Sequence, residues 1–160
     1  MLATYKYMDF VTAYGACLYI RSTDSNNKTS RELVCSTSKV APLKQLTIPR
    51  LELCAATLLS KLYKKAIGAL NITISESYLW TDSSIVLTWI QGPPNKWKIF
   101  VGNRVALIQE ETASASWRHL PSQSNPAFSF QKELNLQLCQ HPHCGGRDHN
   151  GFHRSHPAGL

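Results

Sequence analysis

Apolar and polar positions change their period along this chain, and each change marks a new kind of element. Through the first third the period is two. Tyr5 and Tyr7 alternate with Lys6 and Met8, then Ala16, Leu18 and Ile20 with Cys17, Tyr19 and Arg21, and Leu33 and Cys35 resume the pattern. Such alternation places successive side chains on opposite faces of a strand. Tyr14-Gly15 offers a first turn, and Asp24, Asn26 and Asn27 form a polar cluster for a second. The segment is expected to be a three-strand antiparallel meander.

At Ile48-Pro49 the period becomes 3.6. Proline suits a first helical turn, and the residue before it is held extended. Leu51, Cys54, Ala55, Leu58, Leu59, Leu62, Ala66 and Leu70 then mark one face of a long helix, with Lys61, Lys64 and Lys65 on its later turns. A short strand is expected over 77–81 and a short helix over 82–91, stopped by Gly92-Pro93-Pro94. Apolar residues at 97, 100, 101, 105 and 108 predict a further helix over 97–111. Ser116-Trp117-Arg118-His119-Leu120 reads as a last strand, closed by Pro121. The order β-β-β-α-β-α-α-β belongs to the α/β class, with a mixed sheet whose first strands are antiparallel and whose later ones alternate with helices. Beyond Ala127 periodicity fades, and a His-, Gly- and Pro-rich tail over 128–160 is expected to lack a fixed fold.

Composition narrows this picture. The 160 residues suffice for one core, and no run of 18 apolar residues suggests a membrane span. No secretory leader is legible at the N-terminus. Of the five cysteines, Cys17, Cys35 and Cys54 lie inside apolar segments, as small hydrophobes do, which favours an intracellular compartment, cytoplasm or nucleus. A net charge of +7 with only ten acidic residues favours a polyanionic partner such as nucleic acid, although many basic domains bind none. It also makes each carboxylate inside an apolar pattern worth weighing.

Two carboxylates stand out. Tyr78-Leu79-Trp80-Thr81-Asp82-Ser83-Ser84-Ile85-Val86-Leu87 runs from an apolar strand directly into an acidic residue and then an amphipathic segment. A strand-end aspartate beside a helix N-terminus can stay ionised and reach a metal or substrate, while Asp82 and Ser83 also suit the plain role of helix caps. Glu52 lies in the first turn of the long helix, beside its apolar stripe; a surface residue balancing the helix dipole is the bland alternative. Facing one sheet edge, the two can share Mg²⁺, which prefers carboxylate oxygens and water. Two-ion hydrolysis of a phosphodiester needs three or four such ligands.

The two carboxylates sit among longer blocks that carry a family resemblance. The blocks Ala13-Tyr14-Gly15-Ala16-Cys17, Ser38-Lys39-Val40-Ala41-Pro42-Leu43-Lys44 and Thr47-Ile48-Pro49-Arg50-Leu51-Glu52-Leu53-Cys54-Ala55-Ala56 carry its first half. Leu79-Trp80-Thr81-Asp82-Ser83-Ser84-Ile85-Val86-Leu87-Thr88-Trp89-Ile90, Pro93-Pro94 with Trp97-Lys98, and Phe100-Val101-Gly102-Asn103-Arg104-Val105 follow. Trp117-Arg118-His119-Leu120-Pro121-Ser122 and Asn125-Pro126-Ala127 complete it. Over roughly residues 5–127 the chain resembles the ribonuclease H-like region of BEL/Pao-type retrotransposon polyproteins. The resemblance implies a ribonuclease H-like fold and an Asp-Glu-Asp-Asp set holding two Mg²⁺ ions that cleaves RNA in RNA–DNA hybrids.

Carried over by position, Glu52 matches the helix glutamate and Asp82 the strand-end aspartate. The other two positions depart from the family. Its pattern D-A-S-x-x-A-Y-G-A, aligned without a gap on Ala13-Tyr14-Gly15-Ala16, puts Met8 at the first aspartate. Asp9 comes one residue late, and a one-residue slip on a strand turns a side chain to the other face. Asp9 serves only if a shortened turn absorbs the deletion. The fourth carboxylate should follow Asn125-Pro126-Ala127, where this chain has Phe128. A frameshift or new exon after residue 127, and loss of a preceding polymerase before residue 6, are the expectations that follow. Family sequence in another reading frame would support the frameshift, and its absence from every frame would sink it.

The expected function is therefore a retrotransposon-derived ribonuclease H-like domain, impaired in catalysis because losing one ligand of a two-metal site commonly removes useful turnover. Binding of RNA–DNA hybrid through Lys39, Lys44, Arg50, Lys96, Lys98, Arg104 and Arg118 is expected to persist, each being otherwise a solvated surface charge. Two alternatives stand beside it. One is an active hybrid nuclease completed by Asp9 and a tail carboxylate, the other a non-catalytic nucleic-acid-binding or interaction module. An aspartic protease is excluded because Asp82-Ser83 is followed by Ser84 instead of glycine, and no Ser-His-Asp signature surrounds Ser83 or His119. In the tail, Cys139, Cys144, His149 and His153 are types that bind Zn²⁺, but their spacing is wide for a knuckle and short for a ββα finger, which argues against an ordered site.

Overall fold

The computed structural model describes residues 13–43 and 46–121. The expected strand over 5–8, Asp9, Lys44, and the tail with Cys139, Cys144, His149 and His153 lie outside them.

The meander begins as a hairpin. Strands β1 (Ala13–Thr23) and β2 (Thr29–Val40) pair antiparallel, from Ala13 opposite Val40 to Thr23 opposite Thr29. The expected turn at Tyr14-Gly15 is not one: both residues lie within β1. Glycine there answers to a close approach, because a Cβ on Gly15 would sit 3.1 Å from the Thr37 carbonyl oxygen. The second expected turn is present. Asp24 Oδ1 accepts from the backbone N–H groups of Asn26 (2.9 Å) and Lys28 (2.8 Å), and Asn27 takes a positive φ of 59°. That conformation is tolerated best by glycine and asparagine.

Helix α1 (Ile48–Ala69) follows, with Pro49 in its first turn as expected. Its buried residues extend beyond the single stripe read from the sequence. Leu53, Ala56, Ser60 and Tyr63 are buried as well, whereas Leu58, Leu62 and Leu70 are only half-buried. The reason is that α1 has neighbours on two sides. Leu59, Tyr63 and Ala66 pack with Ala16 and Leu18 of β1, while Leu53 and Ala56 pack against the later helices. A third group joins Leu51 and Ala55 to Tyr14, Ala41 and Leu46. Full burial of each such leucine contributes about 1.5–3 kcal/mol.

Strand β3 (Tyr78–Thr81) leads to helix α2 (Ser84–Gln91), a 3-10 turn (Pro94–Lys96), helix α3 (Ile99–Glu111) and strand β4 (Ser116–His119). Strands β3 and β4 pair in parallel, with Thr81 opposite His119. The architecture is mixed α/β, and the described strands form two two-stranded sheets, β1–β2 and β3–β4. The three antiparallel strands expected are two among the described residues. Helix α2 begins after Asp82, not at it, because Ser83 takes the capping position. Helix α3 likewise begins after Trp97. Pro93 and Pro94 impose the 3-10 turn, and Trp97 leaves it to pack on Trp89 with ring centroids 6.3 Å apart.

Val86 and Ile90 of α2 and Val101, Val105 and Ile108 of α3 complete the cluster around Leu53. Gln109 Nε2 donates to the carbonyls of Ile90 (2.7 Å) and Gly92 (2.9 Å), closing the C-terminal end of α2 onto α3. Cys17 and Cys54 are buried thiols, as read from their apolar surroundings, and burial pushes the Cys17 thiol up to about 11. Among the described residues, no helix is long and apolar enough to cross a membrane.

Candidate carboxylate site

The site lies where β3 ends, α2 begins and the second turn of α1 passes; because α1 starts at Ile48, Glu52 falls one turn later than the first-turn position expected for it. Leu79 is fully buried, which anchors β3, and the strand then delivers Asp82 to the junction. The junction is held by backbone. Leu120 N–H donates to the Thr81 carbonyl at 3.0 Å, and His119 Nε2 lies 3.1 Å from the carbonyl oxygen of Asp82. His119, the last residue of β4, therefore ties down the backbone of the aspartate from the neighbouring strand.

Glu52 is carried by Leu51 and Leu53, which are 3% and 0% exposed, so the core sets the rotation of the helix that bears it. Its carboxylate Oε2 accepts a 2.5 Å hydrogen bond from Ser83 Oγ. The same hydroxyl accepts from the Val86 N–H at 3.3 Å, capping α2, while Ser83 N–H donates to Thr81 Oγ1 at 3.2 Å. Burial holds the Glu52 carboxyl above its ordinary range, the Ser83 hydrogen bond lowers it, and the charge of Asp82 raises it again. One oxygen of Asp82, Oδ1, is buried from solvent. The two carboxylates singled out in the sequence are thus electrostatic neighbours. Ser83, read there only as a cap, joins them. Its signal was present, because a hydroxyl directly after a strand-end aspartate is well placed to face a glutamate near the start of the neighbouring helix.

The predicted basic residues sort into groups. Arg50 and Arg104 both lie over the ring of Phe100, at 5.3 and 3.7 Å from its centroid. Arg104 also donates to the Phe100 carbonyl at 3.0 Å. Cation–π contact keeps these guanidiniums oriented. Lys96 lies 5.4 Å from the centroid of Trp97 and Arg118 4.0 Å from that of Tyr78. Lys39 and Lys98 are exposed.

The donor set meets Mg²⁺ only halfway. Glu52 and Asp82 supply oxygen ligands that suit one hard cation completed by water. Among the described residues, no group of three or more His, Cys, Asp or Glu converges as a two-ion site requires.

Residues 11–83 match the family model described as the Pao retrotransposon-like RNaseH-like domain, which supports a BEL/Pao retrotransposon ribonuclease H-like region in this chain. The matched span contains Glu52, Asp82 and Ser83 and leaves out Met8 and Asp9. No curated protein and no solved structure matches the chain.

Proposed function

We propose that this ribonuclease H-like domain binds RNA–DNA hybrid and turns it over poorly or not at all. The observation that carries the reading is the Ser83 hydroxyl bonded to Glu52 directly beside Asp82, whose charge acts on Glu52; the two carboxylates are the half of a four-carboxylate set that the helix and the strand end contribute. The sequence supports impairment, with Met8 and Phe128 standing where the family pattern places the other two carboxylates. Glu52 is half-buried and its Oε2 is already engaged by the Ser83 hydroxyl, which a cation would have to displace. Binding rests on a different resource. Arg50 and Arg104, stacked on Phe100, present oriented guanidiniums of the kind that contact phosphates without reading sequence.

The full chain mixed with labelled RNA–DNA hybrid and Mg²⁺ is expected to retain the duplex in an anisotropy assay and to release no product on a denaturing gel. Cleavage that disappears in Asp82→Asn would overturn the impairment. Failure to bind hybrid even at low salt would overturn the nucleic-acid reading.

A further inference from the structure

The β1–β2 hairpin leaves the domain as an arm. Leu18 and Ala16 are the β1 residues buried in the core with α1, and every residue from 21 to 33 is exposed. The five residues 19–23 extend the strand by roughly 17 Å past Leu18 at ~3.3 Å per residue. A register shift between Leu18 and Tyr19, where Val34 is the extra residue of β2, separates the packed root from the exposed arm.

On that arm Arg21 stands directly opposite Arg31. Like charges in cross-strand register repel, so folding alone gives no reason for the pair. The same face carries Thr23 and Thr29, whose hydroxyl oxygens lie 3.4 Å apart, followed inward by Tyr19 and Leu33; it holds no acidic residue. Glu32 is on the other face, opposite Ile20, and Asp24 Oδ1 is engaged by the turn. An exposed two-stranded ribbon with paired arginines and hydroxyls has the chemistry that contacts nucleic-acid phosphates, and ribbons of this width enter duplex grooves.

We propose that the Arg21/Arg31 face of the hairpin is a second nucleic-acid contact, which holds the phosphate backbone of a duplex away from the carboxylate site. This rests on the reading that the domain binds hybrid. The arm's root packs level with Leu59, Tyr63 and Ala66, and roughly 21 Å of helix separates Glu52 from Ala66 at ~1.5 Å per residue. The arm therefore touches the duplex several base pairs from Glu52 and Asp82. It sets where along a hybrid the domain sits, not what the carboxylates do.

The test measures the salt dependence of hybrid binding by the full chain and by the double variant Arg21→Gln/Arg31→Gln. Two lost phosphate contacts lower the slope of log affinity against log salt by about 1.8. Arg21→Lys/Arg31→Lys keeps the charge and is expected to keep the slope. The melting temperature of the glutamine variant should be equal or higher, because a repulsion has been removed. If the wild type binds hybrid and the glutamine variant matches its slope, the arm is refuted while the functional reading stands. If the wild type binds no hybrid, both fall. Binding of polyglutamate that the glutamine variant loses, with hybrid binding intact, would assign the arm to an acidic polypeptide and overturn the proposal.

Discussion

Replacing Ser83 by alanine tests the site at the one atom that joins its parts. Ser83 Oγ caps α2 through the Val86 N–H and donates to Glu52 Oε2. A lost N-cap costs about 0.5–2 kcal/mol, and the 3.3 Å length of this one, beyond the usual ~2.9–3.0 Å, places it near the low end. A hydrogen bond to a charged group contributes ~1.5–3 kcal/mol, reduced to about 1 because Glu52 is only half-buried and solvent screens it. Together they predict a loss of about 1.5 kcal/mol, a fall in melting temperature of ~3–6 °C for a chain of this size. Circular dichroism melts at several pH values check it. Glu52 has a raised native pKa, so its contribution to stability is fully present below its unfolded value and is lost as pH rises through the native one. Ser83 offsets part of that loss by lowering the native pKa. The cost of Ser83→Ala therefore grows as pH rises through the Glu52 titration. Glu52→Gln should raise the melting temperature at neutral pH, and in its background Ser83→Ala should cost about 1 kcal/mol less. An equal cost in both backgrounds, or a fall of under ~2 °C in the wild type, would refute the shared role of the hydroxyl.

Two further outcomes probe the packing around the site. Gly102 is buried at the start of α3, and a Cβ there would lie 2.7 Å from the Pro94 carbonyl oxygen; Gly102→Ala should cost about 1–3 kcal/mol, whereas Gly68→Ala, which meets nothing within 4 Å, should gain ~0.5–1. Equal urea midpoints for the two variants would show that the Pro94–Lys96 turn yields freely. Trp97 Nε1 is buried with no hydrogen-bond partner among the described residues, while Trp117 Nε1 donates to Thr112 Oγ1 at 2.9 Å. Trp97→Phe should therefore stay within about 1 kcal/mol of the wild type and Trp117→Phe should cost ~1–2 kcal/mol more, with the reverse order in thermal melts counting against this assignment.

What the sequence revealed follows from where its signals were local. The 3.6 period from Leu51 to Ala66 located α1, and Pro49 located its start, because both act within one element. The strand end at Asp82 was legible from the change of period around it. Gly15 was misread as a turn because the cause of its glycine, the Thr37 carbonyl, lies across a strand pair that no local pattern displays. The breadth of the buried surface on α1 was missed for the same reason: Leu53 and Tyr63 are claimed by partners far along the chain. Within the site, Glu52 and Asp82 could be named from their positions, whereas the hydroxyl of Ser83 needed three elements to be brought together. Arg21 and Arg31 are ordinary surface charges when taken singly; their meaning lies in the register that opposes them.

The placement of Glu52 between Leu51 and Leu53 has a consequence for how the site responds to substitution. Both leucines belong to clusters that bind α1 to the rest of the domain, so any variant that still folds keeps residue 52 aimed at the end of β3. Replacing either leucine disturbs the core and the carboxylate's aim together, whereas replacing Glu52 itself leaves that scaffold standing. The direction in which the carboxylate points is thus a property of the core, and only its charge is its own.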